Sequence, residues 1–243
     1  MPISIVIPAL NEAESIGFVV REMPWPLLAE CIVADNGSTD DTAALARAAG
    51  ARIVTTPRGY GAACMDASNS ADPNSDIIVF MDGDGSDVIT HLPELIGPIQ
   101  RGEKDFVMGS RLSSIQRDPN SMLASQVFAG WLVSTLLRLR FPGKFRYTDM
   151  GPFRAIRRSS LQQLHMQERT YGWSLEMQIK ALQHNLRIAE VPVHYRARHG
   201  GVSKVAGDLR ASFKAAWRIL EVLFRVSAQQ RAKSLPDPPP HQN

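Results

Sequence analysis

Short apolar segments alternate with amphipathic ones through the first 110 residues, and this alternation constrains the fold more than any other feature. The apolar segments are rich in β-branched residues and are bounded by Pro, Gly or Asp, which is typical of buried strands. They cover Ile3–Pro8, Cys31–Ala34, Arg52–Thr55, Asp76–Met81 and Phe106–Met108. Apolar strands separated by helices indicate a mostly parallel sheet with helices on both faces, so the predicted fold class is α/β.

Polar clusters follow four of these strands. They are Asn11 with Glu12, Asp35–Asp40, Arg58–Gly61 and Asp82–Asp87. The carboxyl ends of parallel strands meet at one edge of a sheet, and ligands bind there, so we expect the clusters to converge. The alternative is four ordinary turns, but the turns at the opposite edge carry no comparable clusters. We also expect Asn11 to cap a helix that runs to about Met23.

The charge is divided unequally along the chain. The first 110 residues hold 6 Lys or Arg against 16 Asp or Glu, and the rest hold 21 against 8, although the net charge is +3. An acidic half would hold a cation, and a basic half would meet phosphate, lipid headgroups or nucleic acid. The alternative is that the halves only neutralise each other. We predict one domain with halves 1–110 and 111–230, and a disordered, proline-rich tail over 231–243.

Composition excludes several classes of protein. Hydrophobic residues make up 44% and charged residues 21% of the 243 positions, which is ordinary for a soluble globular protein and excludes collagen or a disulfide mini-protein. Cys31 and Cys64 are too few for a metal cluster, and a reduced, cytoplasmic protein is expected. The N-terminus shows neither the basic region nor the cleavage site of a signal peptide.

The second half contains segments that would either lie on a membrane surface or pack in the core. Residues 121–137 carry no charge and are followed by basic residues, and their length is at the short limit for a membrane span. A helix from Asp208 would carry an apolar stripe beside Arg and Lys. A further helix is predicted over Trp173–Gln183. Arg187–Tyr195 reads as a strand, and Pro192 implies an edge position for it.

The strongest chemical signal is Asp82-Gly83-Asp84. Two carboxylates separated by one glycine at a sharp turn can hold one divalent cation, and oxygen ligands suit Mg²⁺ or Mn²⁺. Such an ion keeps positions for a substrate diphosphate and offsets the charge that develops as the diphosphate departs. The pattern is weak alone, but here it follows the fourth strand of a parallel sheet, and another acidic cluster follows the second.

These motifs together resemble glycosyltransferase family 2, of the GT-A fold. The resemblance rests on Pro8–Glu12, Asp35–Asp40, Asp82–Asp84, Tyr171–Glu176, Glu190–Val193 and Arg198–Lys204. The later motifs are similar to those of the branch that contains dolichyl-phosphate mannose and glucose synthases. The family implies a nucleotide-diphosphate sugar as donor and Mg²⁺ or Mn²⁺ as cofactor.

The resemblance also implies a role for each matching position on the donor side. Residues that would line the nucleoside pocket are Pro8, Leu10 and Glu12, with Asp35 and Asn36 near the base and ribose. Residues that would meet the diphosphate and metal are Asp82, Gly83 and Asp84, with Ser86 as a further metal ligand, directly or through water. A basic loop that would close over the donor diphosphate and the acceptor phosphate contains Arg198, Ser203 and Lys204.

On the acceptor side the resemblance implies fewer positions. Arg111 would face the acceptor, and Asp149 and Glu176 would lie near the sugar or the acceptor. A structural ion pair is the alternative for Glu176. The residues expected to act in catalysis are Asp84, Arg111 and Lys204.

Four departures from the family pattern bear on these roles. Leu10 stands where an aromatic residue is frequent, and Asn36 stands where Asp is usual. Residues 85–87 read Gly-Ser-Asp instead of Leu-(Ser/Gln)-His, which affects the third metal ligand. Residues 150–153 read Met-Gly-Pro-Phe instead of Thr-Ser-Gly-Phe, which affects the acceptor contacts.

The resemblance therefore implies a metal-dependent, inverting transfer of glucose or mannose from UDP-glucose or GDP-mannose to a polyprenyl phosphate. The protein would be peripheral on the cytoplasmic face of the membrane. An acceptor phosphate is mostly ionised at neutral pH and needs positioning more than a base, which agrees with the lack of an obvious His base.

Two alternatives remain. One is a soluble transferase that uses a small anionic acceptor such as phosphoglycerate; a hydroxyl acceptor would need a base, with Asp149 or Glu176 as candidates. The other is a non-catalytic module that binds nucleotide sugars, against which the intact Asp82 and Asp84 argue. A nucleic-acid partner is not expected, because it would explain the basic half but not the metal site.

Overall fold

A seven-stranded sheet organises the part of the chain that the structure describes. The computed structural model describes residues 1–112, 118, 131, 134–139, 141, 147–200, 221–222 and 225. The strands are β1 (Ile3–Ala9), β2 (Glu30–Asp35), β3 (Arg52–Thr55), β4 (Ile77–Phe80), β5 (Phe106–Ser110), β6 (Arg154–Arg157) and β7 (Ile188–Pro192). Their order is β3-β2-β1-β4-β6-β5-β7. Only β6 runs antiparallel to its neighbours, so the predicted α/β class with a mostly parallel sheet is confirmed.

Helices cover both faces of this sheet. They are α1 (Ile16–Arg21), α2 (Thr42–Ala48), α3 (Tyr60–Asn69), α4 (Leu92–Gln100), α5 (Arg158–Gln163) and α6 (Trp173–Gln183). Short 3-10 turns occupy Trp25–Leu27 and Ile89–His91. Two buried apolar clusters, one on each face, share the alternating side chains of β1, as expected for a strand covered on both sides. The predicted helix over residues 173–183 and the five strands of the first half are confirmed.

The start of α1 differs from the prediction. Asn11 does not cap a helix, and α1 begins only at Ile16, after the N-cap residue Ser15. Asn11 instead has a φ of 49°. Its Oδ1 accepts a hydrogen bond from the backbone N–H of Thr39 at 2.8 Å. The capping prediction was wrong because the amide joins two loops at the sheet edge, a contact between residues distant in the sequence.

The second half of the chain completes the sheet of the first. β6 inserts between β4 and β5, and β7 lies at the edge beside β5, so the edge position inferred from Pro192 is confirmed. Leu137, at the end of the uncharged segment, is buried, whereas Leu139, in the basic stretch that follows, is 75% exposed. Most of residues 121–133, most of the helix predicted from Asp208 and the whole tail over 231–243 lie outside the described residues. Within the described part, no helix has the length and apolar character needed to cross a bilayer.

Candidate active site

The polar clusters predicted to meet at one sheet edge are in contact there. The backbone N–H of Gly59, after β3, donates to Oδ1 of Asn36, after β2, at 2.8 Å. The hydroxyl of Tyr60 lies 3.2 Å from Oδ1 of Asp82, after β4. Gly59 has a φ of 138°, and a Cβ there would collide with the carbonyl oxygen of Arg169. The loops are therefore joined into one surface by contacts across the strand ends.

The expected nucleoside pocket lies at the ends of β1 and β2. Pro8 is buried in β1, Leu10 is half-buried, and Glu12 is 8% exposed. Asp35 ends β2, and its Oδ1 accepts a hydrogen bond from the N–H of Ser38 at 3.0 Å. The carboxylates thus stand at the carboxyl edge of the parallel strands, where the fold class places ligands.

The loop after β4 holds its carboxylates through internal hydrogen bonds. Oδ1 of Asp84 accepts from both the backbone N–H (2.9 Å) and the hydroxyl (2.6 Å) of Ser86. The N–H of Asp82 donates to Oδ2 of Asp87 at 3.0 Å. Ser86 is fully buried, so in this structure it orients Asp84. Its role as a metal ligand stays a prediction.

Gly83 leaves no spare space in this loop. A Cβ at this position would lie 3.2 Å from Cδ1 of Ile16 and 3.3 Å from Cγ2 of Ile7. The Gly83 carbonyl accepts a hydrogen bond from the hydroxyl of Ser15 at 2.9 Å. The loop is therefore packed tightly against β1 and the start of α1.

Buried negative charge accumulates in the same loop. Burial raises the pKa of Asp82 well above its usual range, and the neighbouring charges of Asp84 and Asp87 raise it further. Burial likewise raises the pKa of Asp87 to about 7. Oδ1 of Asp87 has no hydrogen-bond partner among the described residues. A divalent cation would offset this charge, and the carboxylates of Asp82 and Asp84 are oxygen ligands that suit Mg²⁺ or Mn²⁺.

These carboxylates do not by themselves form a complete metal site. Within the described residues, no three His, Cys, Asp or Glu side chains are grouped as a metal site. Asp82 and Asp84 would therefore supply part of a coordination shell, as fits an ion that also binds a substrate diphosphate.

An arginine lies against this acidic loop. Nη1 of Arg198 is 3.1 Å from Oδ2 of Asp84, and its Nη2 is 3.1 Å from Oε1 of Glu12. The next residue, His199, donates its N–H to the Asp84 carbonyl at 2.9 Å and stacks its ring on Phe18 at 4.1 Å. The predicted basic loop thus begins directly over the predicted donor site. Ser203 and Lys204 lie outside the described residues.

Arg111 forms a second charged centre at the end of β5. Its Nε and Nη2 each lie 2.8 Å from a different carboxylate oxygen of Asp149. Burial alone would raise the pKa of Asp149, but the Arg111 guanidinium outweighs it and holds that pKa below its usual range. The guanidinium lies 5.0 Å from the centre of the Tyr195 ring. Tyr195 forms a β-bridge with Asp87, which connects this centre to the metal loop.

Glu176 serves a structural ion pair. Its side chain is buried, and Oε1 lies 3.0 Å from Nζ of Lys180. Oε2 accepts hydrogen bonds from the N–H groups of Gln167 (3.0 Å) and Glu168 (2.7 Å). The carboxylate therefore anchors the loop before α6.

Three residues contact or support residues of the site although the sequence assigned them no role. Asp87 was only part of a polar cluster, Tyr195 was the end of a predicted strand, and Glu190 was part of a motif. The signal for Asp87 was the substitution of an acid where the family pattern has His. Tyr195 and Glu190 gave no comparable signal, because their contacts depend on the order of strands in the sheet.

Comparison with known proteins identifies the family. The family model described as glycosyl transferase family 2 matches residues 4–164. The chain belongs to this family. An uncharacterized glycosyltransferase of Mycobacterium tuberculosis is 34% identical over 223 residues, which cover 90% of this chain and 97% of that protein. The dolichyl-phosphate hexose transferase of Haloferax volcanii is 31% identical over 201 residues, which cover 82% of this chain and 84% of that protein.

A solved structure gives the same result at the level of the fold. Glucosyl-3-phosphoglycerate synthase from Mycobacterium tuberculosis, in complex with Mn²⁺, uridine diphosphate and glucosyl-3-phosphoglycerate, matches with a TM-score of 0.77. The sequence identity is 25%, and the match covers 93% of this chain and 80% of that chain. The predicted GT-A fold and the enzyme class, a glycosyltransferase, are confirmed.

Proposed function

We propose that the protein transfers a sugar from a nucleotide-diphosphate donor, with Mg²⁺ or Mn²⁺, to an acceptor that carries a phosphate. The observation that carries this proposal is the contact between the two charged centres. Asp87 of the acidic loop pairs with Tyr195, whose ring faces Arg111 at 5.0 Å. Carboxylates for a cation and a guanidinium for an anion therefore lie side by side, as a reaction between a diphosphate and a phosphorylated acceptor requires.

The chain's own residues divide the work between donor and acceptor. Asp82 and Asp84 would hold the cation, which offsets the charge that develops on the leaving diphosphate. Arg198 would leave Asp84 and Glu12 and turn to the diphosphate, since these phosphate oxygens attract the same guanidinium. Arg111 would orient the acceptor. In this division residues 1–110 together with Arg198 bind the donor, and the other residues of 111–230 bind the acceptor.

The first candidate acceptor is a small phosphorylated acid such as phosphoglycerate. The related synthase solved with Mn²⁺ and uridine diphosphate also contains glucosyl-3-phosphoglycerate, and it shares the fold over 93% of this chain. A small acceptor that carries a phosphate and a carboxylate suits a site with a fixed guanidinium. UDP-glucose would then be the donor.

A polyprenyl phosphate is the second candidate, and the occupied carboxylates favour it. A hydroxyl acceptor needs a base, but Asp149 is paired with Arg111 and Glu176 with Lys180. A phosphate acceptor needs none, and its direct attack would invert the anomeric centre. The 31% identity to a dolichyl-phosphate hexose transferase supports the same acceptor. Trp131 and Leu139, which are 58% and 75% exposed, would then touch the membrane surface.

A two-acceptor assay tests the proposal. Purified protein receives labelled UDP-glucose or GDP-mannose with Mn²⁺, and either phosphoglycerate or a polyprenyl phosphate in detergent. Label in a water-soluble anionic product supports the first candidate, and label in an organic extract supports the second. A chelator should stop either reaction. If nucleotide sugar binds but no label moves with any donor and acceptor, the chain would be a binding module and the proposal would be wrong.

A further inference from the structure

Two opposite charges flank Met108 on one face of the sheet. Met108 of β5 pairs with Glu190 of β7 and with Arg154 of β6. Directly paired residues on neighbouring strands project from the same face of a sheet. Glu190 and Arg154 therefore stand on one face, with Met108 between them. Both charged side chains reach the segment 148–151, which contains the Asp149 partner of Arg111.

The carboxylate of Glu190 binds the first part of this segment. Its Oε1 accepts hydrogen bonds from the backbone N–H groups of Thr148 at 2.9 Å and Asp149 at 3.0 Å. It also accepts from the Thr148 hydroxyl at 3.0 Å. A carboxylate that accepts several N–H and O–H donors fixes the backbone more strongly than neutral hydrogen bonds do.

The guanidinium of Arg154 binds the second part. Arg154 is 1% exposed, and its Nη2 donates to the Met150 carbonyl at 3.0 Å. Its Nε donates to the Gly151 carbonyl at 3.1 Å, and its Nη1 to the Ser174 carbonyl at 3.1 Å. The Glu190 carboxylate thus holds the N–H groups of Thr148 and Asp149, and the Arg154 guanidinium holds the carbonyl groups that follow them.

Asp149 is consequently fixed on every side. Its N–H is bound by Glu190, and its carbonyl accepts from Nε2 of Gln178 at 2.8 Å. Its carboxylate holds Arg111 through two side-chain hydrogen bonds and the Arg111 N–H at 2.9 Å. None of these supporting residues needs to touch a substrate in order to determine where the Arg111 guanidinium lies.

We propose that Glu190 and Arg154 are positioning residues, which fix Asp149 and thereby aim Arg111 at the anionic group of the acceptor. This inference rests on the proposed function in one respect, the assignment of Arg111 to the acceptor. It adds residues whose effect on the acceptor is transmitted through the Asp149 backbone. A merely structural role would instead affect donor and acceptor reactions alike.

The Glu190→Gln variant separates the two roles. Glutamine has nearly the same size as glutamate. Its NH₂ group replaces one accepting oxygen and cannot accept a hydrogen bond from the N–H groups of Thr148 and Asp149. We expect kcat/KM for the acceptor to fall about 10- to 100-fold, as for lost hydrogen bonds to a charged group. Hydrolysis of the nucleotide sugar without acceptor should stay near the wild-type rate. Equal losses in both reactions would overturn the proposal.

Asp105→Asn is the matched control. Asp105 accepts hydrogen bonds from Arg187 directly before β5 and β7 begin, so its loss weakens these strands without touching residues 148–151. This variant should keep the acceptor kcat/KM. In a double-mutant cycle, Glu190→Gln should lower the acceptor kcat/KM much less in the Arg111→Lys variant than in the wild type. Full additivity in that cycle would contradict an action through Arg111.

A second measurement needs no acceptor and so separates this inference from the proposed function. Hydrogen exchange at Nε of Arg111, followed by NMR, reports directly on its bond to Asp149. Glu190→Gln should accelerate this exchange about tenfold or more, and Asp105→Asn should not. If Glu190→Gln does not fold, Thr148→Val removes one of the hydrogen bonds to Glu190 and should show the same direction. Unchanged exchange in the folded variant would overturn the inference, whether or not the wild type transfers sugar.

Discussion

The donor side and the acceptor side of the site are held in place by different means. On the donor side, Asp84 and Glu12 share the guanidinium of Arg198, so the charged groups expected to meet the ligand bind one another. On the acceptor side, Asp149 and Arg111 are supported by Glu190 and by other residues outside the pair. The first arrangement must rearrange when a cation and a diphosphate bind, whereas the second can stay as it is.

This difference separates two centres. Arg198 with Asp84 and Glu12 forms an exchangeable centre, and Arg111 with Asp149 forms a fixed centre. Arg198 and Asp84 are far apart in the sequence and belong to loops, and replacing their contact needs no change in the sheet. The bidentate pair of Asp149 and Arg111 lies next to the sheet, because Arg111 directly follows β5 and the Asp149 N–H is bound by Glu190 of β7. The side chains of Asp149 and Arg111 are 3% and 17% exposed. Mutations should therefore affect donor chemistry on one side, and stability and acceptor use on the other.

The largest expected effect is on the exchangeable side. Asp84→Asn should lower turnover at least about 100-fold, because it removes a carboxylate that offsets charge in the transition state. The fold should survive, since the change removes a buried charge without altering size. Steady-state assays measure the turnover and thermal unfolding measures the stability. Asp66→Asn, a half-buried carboxylate of α3 paired with Arg169, is the control. A normal rate for Asp84→Asn would exclude its role with the metal.

On the fixed side, the main effect should be on stability. Asp149→Asn leaves the Arg111 guanidinium without its carboxylate, and breaking a buried pair of this kind costs about 3–5 kcal/mol of unfolding free energy. Urea denaturation measures the difference. Asp105→Asn should cost at most about 1 kcal/mol, because its partner Arg187 has a side chain that is 54% exposed. Equal losses in the two variants would show that the Asp149 pair is no stronger than a surface ion pair.

The same pair predicts a pH dependence. The pKa of Asp149 is lowered in the folded protein, so the pair contributes stability above the unfolded-state pKa, near 4. That contribution is lost as the pH falls through the lower folded-state pKa. The stability difference between wild type and Asp149→Asn should therefore be large at pH 7 and shrink as the pH is lowered below about 4. A difference that stays constant down to pH 2 would contradict the ion pair.

The smallest effect concerns the competition between the Arg198 guanidinium and a metal ion for the carboxylate of Asp84. With nucleotide absent, Arg198→Ala should bind Mn²⁺ about two- to fivefold more tightly, because the guanidinium no longer competes for Asp84. Titration calorimetry measures this affinity, and Arg21→Ala, an exposed arginine of α1, is the control. Weaker binding of Mn²⁺ by Arg198→Ala would show that Arg198 supports the metal site and does not compete with it.

Much of the donor side could be predicted from the sequence. The strands of the first half are continuous apolar runs, and parallel order brings their polar ends together without further information. The sequence alone therefore places Asp82 and Asp84 at the carboxyl edge of the sheet. Asn11 could not, because its left-handed backbone and its bond to Thr39 depend on how two loops approach each other.

The acceptor side was less predictable for a physical reason. The row from Glu190 through Met108 to Arg154 exists only because β6 enters the sheet antiparallel, between β4 and β5. The four residues of β6, Arg-Ala-Ile-Arg, give neither the direction nor the neighbours of the strand. The pairing of Arg111 with Asp149 joins residues 38 positions apart across that strand order.

Transfer and acceptor-free hydrolysis of the nucleotide sugar, measured side by side for wild type, Asp84→Asn and Arg111→Gln, test the division of the site most directly. Asp84→Asn should lose both reactions, because the exchangeable centre serves the donor. Arg111→Gln, with folding checked at the assay temperature, should lose transfer and keep hydrolysis. If hydrolysis falls with transfer in Arg111→Gln, the two sides of the site are not separable and the acceptor role of Arg111 is wrong.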